Sequence, residues 1–62
     1  LYKACWVRCE DEEAFAAFKK KRRRDLALDH HGELVFLAES AWMLKMAREN
    51  HPKVSFHFTS EG

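Results

Sequence analysis

The chain has 62 residues, a formal net charge of +1 and 47% hydrophobic residues. A chain of this length forms one domain and buries only about 60% of the surface that its unfolded form exposes, which leaves its stability marginal. The hydrophobic content, beside 34% charged residues, excludes the disordered and fibrous classes. No apolar run approaches the roughly 18 residues of a membrane span. Lys3 and Arg8 interrupt the first apolar stretch, and we therefore expect no signal peptide.

Residues 2 to 9 predict a β-strand, because apolar side chains alternate between its two sides. Tyr2 and Trp6 point to one side, and Cys5 and Val7 point to the other. Apolar residues on both sides are typical of an interior strand that is covered on both faces.

The two cysteines, Cys5 and Cys9, both belong to this predicted strand. Four residues of strand span about 13 Å, whereas a disulfide requires Cα atoms within about 7 Å. We therefore expect two reduced thiols that pack as small hydrophobic groups. Reduced thiols are typical of an intracellular protein, either cytoplasmic or nuclear.

Residues 10 to 24 predict a helix whose charges suit the helix macrodipole. Acidic residues open it from Glu10 to Glu13, and basic residues close it from Lys19 to Arg24. Phe15 and Phe18 are three residues apart and therefore share one face.

Two short apolar runs, residues 26 to 28 and 33 to 37, flank a loop that contains Gly32. This pattern predicts a hairpin, in which the glycine supplies a positive φ. A competing interpretation makes residues 33 to 50 one long helix. The poor helix formers Val35 and Phe36 favour the strand.

Residues 39 to 50 predict a second helix, which ends near Asn50 because Pro52 blocks its continuation. The apolar face of this helix is predicted to contain Trp42, Met43, Met46 and Ala47. Residues 53 to 59 predict the last strand, in which Val54, Phe56 and Phe58 alternate with polar residues. Residues 60 to 62 are predicted to be a frayed tail.

The predicted order is strand, helix, strand, strand, helix, strand, which is the ferredoxin-like βαββαβ arrangement of α+β domains. Right-handed crossovers then place both helices on one face of a four-stranded antiparallel sheet. The first and third strands are expected to be central. Six apolar side chains are predicted to form the core between helices and sheet: Phe15, Phe18, Trp42, Met46, Phe56 and Phe58.

The other face of the sheet, which we call the open face, carries no helix in this arrangement. Because Trp6 alternates with Cys5 and Val7, it points to this open face. An apolar patch of this kind is rarely left bare on a monomer. The alternative is that Trp6 is tucked under a terminus or loop. The predicted interface comprises Tyr2, Trp6, Val35, Leu37 and His57.

These features predict a non-enzymatic protein-interaction or small regulatory or inhibitory module, which binds a second copy of itself or another protein. The alternative is a nucleic-acid-binding module, in which adjacent cations neutralise phosphates. These cations could instead be the solvent-exposed end of a helix, with no binding role. We call them the basic run: Lys19, Lys20, Lys21, Arg22, Arg23 and Arg24.

A third alternative, a small nuclease or toxin, has the least support, because the sequence contains no nucleophile motif and no glycine-rich phosphate loop. Its four histidines and two cysteines show neither CxxC nor HxxxH spacing. We therefore expect no catalytic site, no bound metal and no cofactor.

Overall fold

The computed structural model describes residues 1–58, and the predicted strand residue Thr59 and tail lie outside this range. The elements follow the predicted order, and the sheet has the strand order β2-β3-β1-β4 with antiparallel neighbours. This confirms the ferredoxin-like α+β fold and the central positions of the first and third strands. The bounds are β1 (Lys3–Arg8), α1 (Glu12–Lys21), β2 (Leu26–Leu28), β3 (Leu34–Ala38), α2 (Ala41–Asn50) and β4 (Ser55–Phe58).

Both helices begin later than predicted, because each is preceded by a capping residue with an extended backbone. The Asp11 carboxylate accepts the Ala14 N–H at 3.0 Å, and the Ser40 hydroxyl accepts the Met43 N–H at 3.1 Å. Helix α1 ends at Lys21 rather than at residue 24. A single 3-10 turn, Arg23–Asp25, leads from its end into β2.

The core lies between the two helices and one face of the sheet. Phe18 of α1 is fully buried, and its ring centre lies 5.9 Å from that of Phe36 and 5.7 Å from that of Phe56. Both helices contribute to this one cluster, which places them on the same face of the sheet, as predicted. Its buried members are Cys5, Val7, Phe18, Phe36, Ala38, Leu44, Ala47 and Val54.

Three of the six residues predicted for the core, Trp42, Met46 and Phe58, do not belong to it. Trp42 is 68% exposed because it lies on the opposite side of α2 from the buried Leu44. The two residues are two positions apart, which corresponds to about 200° around the helix axis. Phe58 is 47% exposed because it lies at the end of an edge strand, where its ring is only partly covered. Phe15 is half-buried and packs against the buried cluster, whereas Met46 is half-buried on the same side of α2 as Trp42, one helical turn further on, and is not part of the cluster.

The hairpin between β2 and β3 is confirmed, and the single long helix is excluded. Gly32 has the expected positive φ, +81°. The Asp29 carbonyl accepts the Gly32 N–H, and the Asp29 N–H donates to the Glu33 carbonyl, both at 2.9 Å. These bonds close the loop at the edge of the open face.

Candidate protein-interaction face

The strand register brings four of the five predicted interface residues onto one side of the sheet, whereas Tyr2 precedes β1 and lies outside this register. Trp6 lies opposite Val35 on one neighbouring strand and opposite His57 on the other. Leu37 lies opposite Ala4, which is two residues before Trp6. Directly opposed residues of antiparallel strands point to the same face. This face is turned away from both helices, because Cys5 and its partner Phe36 point into the core.

The exposure of the predicted interface residues differs widely. Tyr2 and His57 are exposed, and Trp6 and Leu37 are half-buried. Val35 is only 6% exposed, because it lies on a central strand between Trp6 on one side and Ala27 on the other. Its side chain contributes to the packing of this face rather than to the outer surface.

The hairpin loop anchors the polar edge of the Trp6 ring. The indole Nε1 donates a hydrogen bond to Asp29 Oδ2 at 3.0 Å. The other carboxylate oxygen, Oδ1, accepts the backbone N–H groups of His31 at 2.8 Å and Glu33 at 2.9 Å. The Trp6 hydrogen bond, followed by that of the Glu33 N–H, lowers the pKa of Asp29 to about 2. Sequence reasoning placed Trp6 on this face but did not identify Asp29 as its partner.

A charged pair borders this face at one end. Arg8 Nη1 lies 2.9 Å from Glu33 Oε1, and both side chains remain exposed. Arg8 follows Trp6 by two residues in β1, and its side chain therefore points to the same face of the sheet. The result is an apolar surface with a polar border, which is the usual composition of a protein interface.

The basic run lies on the helix side of the molecule, at the end of α1 and in the 3-10 turn that follows. Five of its side chains are exposed and Arg22 is half-buried. Within residues 1–58, none of the six forms an ion pair with a carboxylate. The ion pairs found there join the N-terminus to Glu39, Arg8 to Glu33 and Lys53 to Asp11. Lys19 instead lies over the Phe15 ring, 4.7 Å from its centre.

Two buried nitrogen atoms near the end of α1 have no hydrogen-bond partner among the described residues: Arg22 Nε and His51 Nε2. The His51 ring packs edge-to-face with Phe18, with 5.0 Å between ring centres. Burial lowers the pKa of His51, and the positive charges of Arg22 and Lys21 lower it further. His51 therefore acts as a packing group whose surroundings disfavour its protonated form, a role that no sequence pattern indicated.

A solvent-open groove lies at the opposite end of β1 from Tyr2, and a Lys53–Asp11 ion pair of 2.9 Å is part of its lining.

Both cysteines are free thiols. Cys5 is buried, which raises the pKa of its thiol, and half-buried Cys9 donates from Sγ to the Asp11 carbonyl at 3.3 Å. In residues 1–58, no three His, Cys, Asp or Glu side chains are grouped closely enough to hold a metal ion.

No known protein-family model matches the sequence. In the described part of the chain, neither helix has the length and apolar character needed to cross a membrane.

Proposed function

We propose that this chain is a non-enzymatic protein-interaction module that holds a protein partner against its open face. The observation that carries the proposal is that Trp6, Leu37 and His57 share a sheet face over which neither helix lies. A module of this kind acts by occupying a partner's surface, in the manner of a small regulatory or inhibitory protein.

The anchoring of Trp6 supports this proposal. Aromatic side chains are enriched at the centres of protein interfaces, and binding costs less when a side chain is ordered beforehand. The hydrogen bond from the indole to Asp29 restricts the ring before any partner arrives, while the ring remains only half-buried. The partner that fits is a protein surface with apolar groups at its centre and polar groups at its border.

The test uses the full chain and two charge-introducing variants. Leu37→Glu places a carboxylate in the open face without removing the Trp6 hydrogen bond, and Trp42→Glu is the matched control on the helix side. Each immobilised chain is incubated with an extract of the cells that produce it, and retained proteins are identified by mass spectrometry. Circular dichroism verifies that both variants keep their helices.

The proposal expects one set of partners to be retained by the parent and by Trp42→Glu, but not by Leu37→Glu. If the bound partner is a second copy, light scattering is expected to show an associated species for the parent and for Trp42→Glu. Only Leu37→Glu should have a lower mass. Equal retention by all three chains, or a loss with Trp42→Glu that matches the loss with Leu37→Glu, contradicts the proposal.

A second candidate function, binding of nucleic acid by the basic run, is favoured by one specific observation. The cations of this run lack carboxylate partners within residues 1–58, although three ion pairs form elsewhere in the same part of the chain. Unpaired cations on an exposed helix end can neutralise phosphates and release their counterions.

Fluorescence anisotropy with a labelled oligonucleotide duplex tests this second function. The double variant Lys20→Gln/Arg24→Gln removes two cations of the run, and Lys45→Gln/Arg48→Gln removes two from the other helix. Binding through the run predicts weaker affinity for the first variant alone. The slope of log K against log salt should also become shallower by about 0.9 for each phosphate that is no longer neutralised. Equal effects of the two variants contradict it.

A further inference from the structure

The two edges of the sheet differ in how they are protected against pairing with another strand. Edge strand β2 has only three residues, and the charged residues Asp25 and Asp29 flank it directly. Short length and flanking charge are two of the usual means by which proteins block an edge. Edge strand β4 is also short, with four residues, but it lacks the flanking charge: neither the strand nor Val54 and Thr59, which adjoin it in the sequence, is charged.

The inner side of β4 pairs regularly with β1, from Cys5↔Phe58 to Arg8↔Ser55, without a register break. Its outer side has no strand beside it within residues 1–58. The backbone N–H and C=O groups on that side are therefore available to another extended chain. Phe58, which is 47% exposed, lies on the same strand.

We propose that β4 pairs antiparallel with β4 of a second copy of this chain, about a two-fold axis that passes beside His57. A second copy fits this edge because the donors and acceptors of a strand edge are self-complementary about a two-fold axis. Two copies of β4 also meet without like charges, because the strand has no formal charge. The proposal goes beyond the proposed function, since it uses the sheet edge and leaves Trp6 and Leu37 uncovered in both copies.

The register follows from the sides to which the β4 side chains point. Pairing the two copies with His57 opposite the partner's His57 brings Phe58 beside the partner's Phe56 on the helix side. Two aromatic cross-strand pairs then form, one on each side of the axis. The Lys3 ammonium lies over one side of the Phe58 ring, 4.9 Å from its centre, and leaves the rest of that ring to the partner.

Such a pairing joins the two four-stranded sheets into one continuous antiparallel sheet. A two-fold axis perpendicular to the sheet keeps the helices of both copies on one side and both open faces on the other. The two open faces become a single surface of twice the length. A partner that has two-fold symmetry, or two binding segments, would then engage both faces at once.

Disulfide trapping tests the register directly. In a Cys9→Ser background, His57→Cys places one thiol next to the axis in each copy. Directly opposed Cα atoms in antiparallel strands are about 4.5–5.5 Å apart, which is within the range of a disulfide. Ser55→Cys is the matched control, because it lies on the same strand and face and is also exposed. In the proposed register its two copies are about 13 Å apart along the strands.

Under mild oxidation of the full chain, His57→Cys is expected to form a covalent dimer at least about tenfold faster than Ser55→Cys. Mass spectrometry of the intact, non-reduced product measures the rates, and Cys5 is buried and takes no part. Equal rates for the two variants, or no covalent dimer from His57→Cys, overturn the proposal.

Sedimentation provides a second, independent measurement that does not depend on the cysteine variants. Phe58→Glu puts a carboxylate where the partner's Phe56 would pack, whereas Leu28→Glu makes the same change at an exposed position of the other edge strand. The proposal expects a dimer for the parent and for Leu28→Glu, and a monomer for Phe58→Glu. A monomeric parent at millimolar concentration, or equal loss in both variants, overturns it. Loss of mass in Leu37→Glu alone would instead locate self-association on the open face, which separates this proposal from the proposed function.

Discussion

On the helix side of the sheet, Phe18 contacts aromatic rings from two strands and is fully buried, whereas on the open face Trp6 is anchored by one hydrogen bond and stays half-buried. Both are large aromatic residues near the middle of the fold. They differ because two helices cover one face and only the hairpin loop borders the other. Changes to the first face are therefore expected to act on global stability, and changes to the second on local order and on binding.

The largest effect is expected from Phe18→Ala, because it removes the ring that joins α1 to the sheet. Loss of a buried phenylalanine typically costs about 3–5 kcal/mol of unfolding free energy, a large part of what a domain of this size has. Trp42→Ala is the control, since that side chain is 68% exposed, and its cost is expected to stay within about 0.5 kcal/mol. Urea unfolding followed by circular dichroism compares them. If Trp42→Ala were the more destabilising change, the assignment of the α2 faces would be wrong.

Trp6→Phe is expected to act on one carboxyl group rather than on the whole fold. The variant keeps a ring over the open face but removes the indole N–H, which is the main reason that the pKa of Asp29 is lowered to about 2. The pKa of Asp29 should therefore rise toward its ordinary value of 3.8. Carboxyl carbon NMR titration measures this shift, and Trp42→Phe should leave Asp29 unchanged.

The same pKa shift predicts how acid affects stability. A carboxyl group whose pKa is lowered by folding stabilises the folded state above its ordinary pKa, and this contribution is lost as the pH falls through the folded-state value. For Asp29 the loss falls between about pH 4 and pH 2. It should be smaller in Trp6→Phe, and an identical acid dependence in parent and variant would contradict the role given to this hydrogen bond.

Gly32→Ala is expected to have a moderate effect, because it strains the loop that anchors Trp6. Gly32 has a φ of +81°, and no atom lies within 4 Å of the position that a Cβ would occupy. The cost is therefore backbone strain without a clash, about 1 kcal/mol for alanine. Gly32→Asn should cost less, because asparagine tolerates this conformation better. Thermal unfolding of the two variants provides the comparison, and equal stability of Gly32→Ala and the parent would argue against this loop geometry.

The smallest effect is expected from Arg8→Gln at the border of the open face. The Arg8–Glu33 pair is exposed, and such pairs contribute less than about 1 kcal/mol and are screened by salt. Unfolding measured at low and high salt should show a slight loss at low salt only, with a matching result for Glu33→Gln. A loss comparable with that of Phe18→Ala would mean that the border, rather than the core, determines stability.

Much of the fold was predictable because its signals are local. Alternation identified β1 and β4, the Gly32 loop identified the hairpin, and Pro52 indicated where α2 ends. The helix starts were predicted early because Asp11 and Ser40 act as caps outside the helices. The predicted apolar face of α2 correctly included Met43 and Ala47, but it also took in Trp42 and left out the buried Leu44, because the apolar residues of this helix alone do not show where the stripe is centred.

The predicted face could be found from the sequence, but its internal order could not. Trp6, Val35 and His57 do share one side, as the alternation predicts. That Val35 is buried while His57 is exposed depends on the strands beside them, which alternation does not reveal. The Trp6–Asp29 bond joins residues 23 positions apart, a distance along the chain at which no local pattern operates.

By itself, the sequence determined the order of the elements and the side of each strand to which its residues point, because these depend on periods of two and of about 3.6 residues and on residues near each turn. Only the tertiary structure decided which residues on those sides are covered. Phe58 points to the core side but lies at an unprotected edge, and Val35 points to the open face but is enclosed by its neighbours. The physical reason is that burial depends on the number and position of adjacent strands and helices, and strand pairing is a long-range property that was established only when the sheet was assembled.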